Sequence, residues 1–230
     1  MNLKFVVRRL NGKVAFGFAI VVIGSLLRMI EDLPQPILDD ILGCVSFKRD
    51  YQPLNENLQI KELLFCLRQS YKRRVSPRPI KDLKVALKIY NGVMWDRKLC
   101  GLFPVNQKYV RYQCRQSPAK INGKYDFLDV DVVTELKIVD DVSTIDKPYW
   151  ANQQQVRFYA FADNKEKAQI LYFDGKDAKK FPVDTNDFSG LVTQLESNAR
   201  IFYDCLVYRQ YPAKSCFSNG CGICEFQGDC

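Results

Sequence analysis

The segment 122–138 carries two carboxylates and one lysine at spacing typical of paired strands. Residues two apart on a strand share a face, so Glu135 and Lys137 point to the same side. A turn at 129–131 folds the chain back and brings Asp126 beside that side. Carboxylate oxygens are the ligands that Mg²⁺ and Mn²⁺ prefer, and such a cation polarises phosphate and activates water. The segment therefore predicts phosphodiester hydrolysis, with Asp126 and Glu135 holding the metal and Lys137 orienting the water and offsetting charge on the phosphate.

Two alternatives stay open for this segment. A Glu-x-Lys pair also occurs on exposed sheet edges, where it serves only solvation. The connection between Asp126 and Glu135 is short, so Asp129 or Asp131 is an alternative ligand.

Hydrophobic periodicity predicts the elements that position these residues. Helices are expected over 58–74, 81–98, 149–161 and 187–208, and strands over 108–115, 122–139, 168–173 and 179–183. Gln155 and Tyr159 then share one face of the third helix. The alternative interpretation of that face places Tyr159 in the core and Gln155 in solvent. Helices alternating with strands predict an α/β fold built on one mixed sheet.

Nine cysteines are present, and four of them lie in the last fifteen residues. Such crowding indicates metal ligation in a reducing compartment rather than a secreted disulfide scaffold. Cys221, Cys224 and Cys230 supply three thiolates. The fourth ligand is either Cys216, which gives a zinc knuckle, or Cys66, which gives an iron–sulfur cluster that ties an early helix to the C-terminus.

Charge and composition favour a nucleic-acid partner. The net charge is +8, and 61–124 holds sixteen Lys and Arg against three acidic residues, a local +13. Basic side chains neutralise phosphates and interleaved aromatic rings stack on bases, although a solvated basic face with core aromatics is the alternative. The predicted DNA contacts are Arg68, Tyr71, Lys72, Arg73 and Arg74. The absence of histidine excludes Ser-His-Asp triads, Cys-His proteases and His-ligated zinc enzymes.

The N-terminal part has an apolar run at 14–27 that follows four basic residues and superficially resembles a signal peptide. Fourteen residues are too few to span a bilayer, so a buried helix or strand is expected. We therefore expect a cytoplasmic protein without membrane association, and a membrane-tethered or zinc-knuckle interaction protein is the alternative.

The motifs together resemble those of RecB-type nucleases of the PD-(D/E)xK superfamily that carry an iron–sulfur cluster. They are similar in particular to the CRISPR-associated RecB-like exonucleases, the Cas-four family, or to a virus-borne relative. The matching motifs, in order, are the segment 60–68 with Cys66 and with Tyr71 after it, Gly123-x-x-Asp126, Glu135-x-Lys137, Gln155-x-x-x-Tyr159 and Cys221-x-x-Cys224-x5-Cys230.

The resemblance implies a restriction-endonuclease-like mixed sheet flanked by helices, with the cysteine-rich segment 216–230 joined to an N-terminal helix. It covers 58–230 as the nuclease domain and leaves 1–57 as a segment of unassigned role packed on the core. It implies a metal-dependent exonuclease on single-stranded DNA ends that acts in CRISPR spacer acquisition or viral DNA processing. Expected partners are integrase proteins and further copies of the chain. The alternative is a catalytically weak nucleic-acid-binding protein of the same fold.

The resemblance also implies the site residues. The catalytic set is Asp126, Glu135, Lys137, Gln155 and Tyr159, of which Gln155 and Tyr159 support the site and the DNA strand. The Mg²⁺ or Mn²⁺ ligands are Asp96, Asp126, Glu135 and Leu136. The ligands of a [4Fe–4S] cluster are Cys66, Cys221, Cys224 and Cys230, with Cys216 spare.

One position departs from the family pattern. The family has a histidine four residues after a glycine in the helix before the sheet, and here Asp96 stands four residues after Gly92. A carboxylate can replace imidazole as a ligand, and its harder oxygen is expected to favour Mg²⁺ over Mn²⁺.

Overall fold

A six-stranded mixed sheet forms the centre of the protein. The structure is a computed structural model, and it describes residues 9–10, 13–14, 56–76, 83–213 and 226. Its strands are β3 (Asn57–Gln59), β4 (Asn106–Gln113), β5 (Lys120–Asp129), β6 (Val132–Ile138), β7 (Lys167–Phe173) and β8 (Ala178–Val183). Two short strands, β1 (Arg9–Leu10) and β2 (Lys13–Val14), form a separate antiparallel pair.

Strand β5 organises the sheet because three strands pair with it. Strand β4 lies antiparallel along one edge of β5. The other edge pairs in parallel with β3 near the start of β5 and antiparallel with β6 near its end. Strand β6 then pairs in parallel with β7, and β7 pairs antiparallel with β8. The sheet is therefore mixed, and the opening between β3 and β6 lies beside the middle of β5.

Helices cover both faces of the sheet. The described helices are α1 (Ile60–Leu64), α2 (Leu67–Val75), α3 (Leu83–Cys100), α4 (Trp150–Ala162) and α5 (Ser189–Tyr208), with a 3₁₀ turn at Val142–Thr144. Helix α3 shares a small apolar cluster with one face of β5, β6 and β7. The other four helices enclose the larger core on the opposite face. A mixed α/β fold with a sheet flanked by helices, as the sequence predicts, is confirmed.

The predicted helix over 58–74 is wrong in its first two residues and at one internal point. Residues Asn57–Gln59 form β3, where Leu58 pairs with Ile121 of β5, so ladder hydrogen bonds replace helical ones. The helix is then interrupted at Phe65, whose backbone is extended at φ −111° and ψ −165°. Helical periodicity persists across the break because Leu63 and Leu67 bury in the same core.

The other predicted elements match those observed to within about two residues at each end, and the predicted turn at 129–131 separates β5 from β6. The apolar run at 14–27 lies outside the described residues except for Val14. Among the helices that the structure describes, none combines the length and apolar character that a bilayer crossing requires.

Candidate active site

Asp126 lies on β5 at the point where the buried side chains of the strand change from one face of the sheet to the other. Tyr125 packs in the large core, whereas Phe127 packs in the small cluster on the opposite face. Regular alternation would put both on one face, so the strand must twist at the residue between them. Gln107 on β4 lies between Asn106 and Lys108, which pair with Phe127 and Tyr125, and its φ of +51° lies in the left-handed region. This local irregularity gives the Asp126 carboxylate access to groups from both layers.

Glu135 and Lys137 lie on β6 with the side chain of Glu135 only 2% exposed. Glu135 Oε1 accepts hydrogen bonds from Lys137 Nζ and, at 2.8 Å, from Gln155 Nε2. Glu135 Oε2 is buried and accepts no hydrogen bond from any described residue. An unpaired buried carboxylate oxygen is costly, so among the described residues this atom is left available to a ligand.

Gln155 and Tyr159 close the site from α4. Gln155 is 4% exposed, so the alternative that placed it in solvent is wrong, whereas Tyr159 is indeed in the core. Gln155 Nε2 also lies 2.5 Å from the Tyr159 hydroxyl, and Lys137 Nζ lies 3.4 Å from Gln155 Oε1. One amide therefore holds Glu135, Lys137 and Tyr159 in a single hydrogen-bonded group.

Asp96 reaches the site from α3 on the opposite side of the sheet. Its carboxylate accepts hydrogen bonds from the Cys100 thiol at 3.0 Å and from Gln107 Nε2 at 3.2 and 3.3 Å. One ligand atom each of Asp96, Cys100 and Asp126 lie within 4.8 Å of one another. Sequence reasoning missed Cys100 and Gln107. Cys100 could have been identified from its spacing to Asp96, because the two residues are one helical turn apart. No sequence pattern indicates Gln107.

The charges of the site make Asp126 unusually hard to ionise without a cation. Burial, followed by the negative charges of Glu135 and Asp96, raises the pKa of Asp126 from 3.8 to about 8. The backbone N–H of Leu136, 2.6 Å from Asp126 Oδ2, opposes that rise in pKa but does not cancel it. Three carboxylates thus face one ammonium, a balance that favours binding a divalent cation.

Lys137 and Tyr159 keep their protons in this environment. Burial lowers the pKa of Lys137, but the charges of Glu135 and Asp126 outweigh it and the net pKa is raised. Burial, followed by the charge of Glu135, raises the pKa of Tyr159 well above its ordinary value. Lys137 is therefore an ammonium that stabilises negative charge, and Tyr159 is a neutral donor that positions its neighbours.

Replacing Asp126 by Asn is expected to stabilise the metal-free protein, and more so at pH 8 than at pH 5. Between about pH 4 and pH 8 the folded carboxyl keeps a proton that the unfolded carboxyl has lost, so wild-type stability falls as pH rises through that window. Asparagine does not titrate, so the stability of the variant lacks this dependence on pH. Urea unfolding in EDTA at several pH values measures the difference, with Asp204→Asn on the exposed side of α5 as control. A constant difference across this range would contradict the raised pKa.

The donor set fits a magnesium or manganese ion. Asp96 and Asp126 supply hard carboxylate oxygens that lie within 4.8 Å of each other. Glu135, whose charge acts on Asp126, supplies a further oxygen, Oε2, that has no partner among the described residues. Leu136 has an apolar side chain that packs in the small cluster, so it could ligate only through its backbone carbonyl. The alternative ligands lie beside lysines elsewhere on the sheet. Asp131 pairs with Lys165 at 2.9 Å, and Asp129 lies 3.9 Å from Lys180.

Most of the predicted DNA contacts on α2 instead serve internal packing, which corrects the sequence prediction. Tyr71 and Lys72 are 5% and 8% exposed, with Tyr71 edge-on to Tyr211 and Lys72 over the same ring. Arg74 pairs with buried Glu62 at 2.6 Å. The basic periodicity of this helix is indistinguishable in sequence from a nucleic-acid surface, because docking of the C-terminal residues is a tertiary event. Arg68 donates to the carbonyl of Pro212 at 2.9 Å, and Arg73 alone of the five is exposed.

Of the predicted cluster ligands, Cys66 lies within the described residues and the others lie outside them. Cys66 is half-buried at the N-cap of α2. Cys216, Cys221, Cys224 and Cys230 lie outside the described residues. Phe226, within the cysteine-rich segment, is buried, and its ring lies 5.5 Å from Lys72 Nζ.

Comparison with known proteins identifies the fold. No protein-family model matches this sequence, and a search of curated proteins gives no match. Among solved structures the chain is similar to the alkaline exonuclease LHK-Exo from Laribacter hongkongensis (TM-score 0.47, 9% identity, 69% of this chain and 92% of that chain). It is also similar to a phage-related exonuclease from Haemophilus somnus 129PT (TM-score 0.42, 14% identity, 65% and 82%). The crystal structure of SSO0001 matches with a TM-score of 0.60 and 15% identity over 85% of this chain and 94% of that chain. The likeness to SSO0001 shows that this chain shares that protein's fold.

Proposed function

We propose that this protein is a metal-dependent deoxyribonuclease that degrades single-stranded DNA from its ends. The observation that carries the proposal is the buried Oε2 of Glu135, which has no hydrogen-bond partner among the described residues, together with the nearby charges of Asp126 and Lys137. Carboxylates without histidine on the interior strands β5 and β6, with a lysine held beside them, suit phosphodiester hydrolysis better than acyl transfer or redox chemistry. The order of motifs along the sequence, with its resemblance to RecB-type nucleases, supports the same conclusion.

Each side chain has a distinct part in the proposed reaction. Asp96, Asp126 and Glu135 would hold Mg²⁺ or Mn²⁺, with the Leu136 carbonyl as a further ligand. When bound, such an ion polarises the phosphate and lowers the pKa of a water molecule. Lys137, which stays protonated, offsets negative charge that develops on the phosphate and orients the attacking water. Gln155 holds Glu135 and Lys137 at hydrogen-bond distance, which keeps both groups in place before substrate binds.

Exposed aromatic rings beside the site support a single-stranded substrate. Tyr149 and Trp150, at the start of α4, are about half exposed. The backbone N–H of Tyr149 donates to the Tyr172 hydroxyl at 3.1 Å, and Tyr172 pairs with Lys137 across the β6–β7 ladder. These rings therefore lie close to the reacting groups. Unpaired bases stack on such rings, whereas bases within a duplex are not available for it.

The experiment that tests the function is degradation of end-labelled DNA. Single-stranded, double-stranded and circular substrates are incubated with the purified protein in Mg²⁺, in Mn²⁺ and in EDTA. We expect linear single strands to be shortened from their ends in either metal and to stay intact in EDTA. Tight binding of single strands without cleavage in either metal would overturn the proposal in favour of a nucleic-acid-binding protein.

We further propose that Cys66, Cys221, Cys224 and Cys230 hold a [4Fe–4S] cluster. Support comes from Phe226, which lies between the last two of these cysteines in sequence and packs on Lys72 of α2, the helix that begins directly after Cys66. The thiolate just before α2 and the thiolates of the C-terminal segment would then bind one cluster and so link these two parts of the chain. The resemblance to the Cas-four family favours a cytoplasmic role with CRISPR integrase proteins, or a viral DNA-processing role.

Replacing Cys66 by Ala is expected to remove the visible absorbance of anaerobically purified protein and its content of about four irons. By analogy with a disulfide that closes a loop of similar length, the stability lost is about 4 to 5 kcal/mol. Cys205→Ser, at another half-buried cysteine, is the control and should keep the colour. A colourless wild-type protein with one zinc, unaffected by Cys66→Ala, would instead identify Cys216 as the fourth ligand.

A further inference from the structure

A thiol lies among the carboxylates of the proposed metal site. Cys100 is the last residue of α3 and is 1% exposed. Its Sγ donates to Asp96 Oδ1 at 3.0 Å, and its position within 4.8 Å of ligand atoms of both Asp96 and Asp126 makes it part of the same cluster. Neither the sequence resemblance nor the proposed reaction gives this sulfur a role.

We propose that Cys100 is a sulfur ligand of this site, which therefore takes thiophilic divalent cations of the zinc and cadmium class as well as the catalytic ion. The inference rests on the proposed metal site, which it deepens by adding a soft donor to the carboxylates. Carboxylate sites select Mg²⁺, Ca²⁺ and Mn²⁺, whereas thiolate favours softer ions. A cation of this class would compete with the catalytic metal and so inhibit the enzyme.

The distances agree with a shared ion. Zinc lies about 2.3 Å from sulfur and about 2.0 to 2.2 Å from a carboxylate oxygen in a tetrahedral site, so a sulfur and an oxygen ligand are roughly 3.6 Å apart. The three donor atoms lie within 4.8 Å of one another. A movement of about one ångström or less would therefore place them all around one ion. Because a ligating cysteine is a thiolate, the thiol proton now donated to Asp96 leaves to solvent as the cation binds.

An independent observation at Glu135 on β6 also points to a ligand at this site. Glu135 Oε2, whose carboxylate charge acts directly on Asp126, is buried without a hydrogen-bond partner among the described residues. Gln107, held in a left-handed backbone conformation, donates to both oxygens of Asp96 and keeps this carboxylate turned toward Cys100. Ligand atoms from α3 and β5 thus lie together in one small volume, and the charge of Glu135 on β6 acts on Asp126 at its border.

The test is a cadmium titration of cluster-loaded protein, followed by the ultraviolet charge-transfer absorbance of cadmium–sulfur bonds. Cys100→Ser removes the sulfur, and Cys114→Ser is the matched control because Cys114 is also buried but lies outside the carboxylate cluster. The other cysteines contribute equally to all three proteins. We expect Cys100→Ser to lack one equivalent of the sulfur absorbance and to bind that cadmium at least tenfold more weakly, with Mg²⁺ affinity changed less than twofold.

Equal cadmium spectra for wild type, Cys100→Ser and Cys114→Ser would overturn the inference. Should Cys100→Ser fold poorly by circular dichroism, Asp96→Asn provides the second test, since it should lose the same cadmium equivalent while the thiol stays in place. The readout is independent of DNA cleavage. A protein that cleaves DNA but shows no Cys100-dependent cadmium signal refutes this inference alone, whereas a Cys100-dependent signal without any cleavage refutes the proposed nuclease.

Discussion

Glu135→Gln is expected to reduce the DNA-degrading activity by at least about a hundred- to a thousand-fold while the protein stays folded. The substitution keeps the size of the side chain and an oxygen that can accept from Lys137, but it removes the charge that the metal requires. It also places an amide where Oε2 now has no partner among the described residues. Loss of one of three clustered carboxylate charges lowers the electrostatic cost of the site, so we expect no loss of stability.

End-labelled single-stranded DNA in excess Mg²⁺ measures this effect as an initial rate, with thermal unfolding recorded on the same samples. Glu166→Gln, at an exposed glutamate between α4 and β7, is the matched control and should cleave at the wild-type rate. A Glu135→Gln protein that retains more than a tenth of the wild-type rate would place the catalytic carboxylate elsewhere.

Gly123→Ala is expected to cause the largest loss of stability for a single added methyl group, about 1 to 3 kcal/mol. A Cβ at this position of β5 would lie 2.3 Å from Cε1 and 2.9 Å from Cδ1 of Tyr159. That ring cannot move aside easily, because it is 1% exposed and its hydroxyl is bound by Gln155. Displacement of Tyr159 would also loosen Gln155, so cleavage should fall about ten- to a hundred-fold.

The matched control is Gly92→Ala on α3, where an added Cβ meets nothing within 4 Å. This change should raise the free energy of unfolding by up to about 1 kcal/mol, because alanine has the higher helix propensity. Chemical denaturation of the two variants and wild type compares the effects directly. Equal stability of the two variants would mean that the close approach of Gly123 to Tyr159 carries no cost.

Local patterns of the sequence were sufficient for most of the fold and for half of the site. Alternation of period two places Leu136 and Ile138 on one face of β6 and Glu135 and Lys137 on the other. The spacing of four places Gln155 and Tyr159 on one face of α4. These relations depend on backbone geometry within one element, which a short stretch of sequence determines.

Relations between elements distant in sequence could not be predicted in the same way. Leu58 joins the sheet because β5 offers it a parallel edge, although its own segment has helical periodicity. Tyr71 and Lys72 are buried because residues near the C-terminus, including Tyr211, pack over α2. An exposed basic helix and a covered one have the same composition, so only the tertiary contact distinguishes them.

By itself, the sequence determined the order of the chemical groups Asp126, Glu135, Lys137 and Gln155, and the α/β class of the fold. The tertiary structure alone decided that the Cys100 thiol joins Asp96 and Asp126. No local sequence pattern predicts that helix α3 packs against strand β5. The twist at Asp126, which gives its carboxylate access to both layers, follows from the packing of each layer. Burial of these carboxylates near one another, a property of the folded chain only, raises the pKa of Asp126 and underlies the proposal that the site binds a cation.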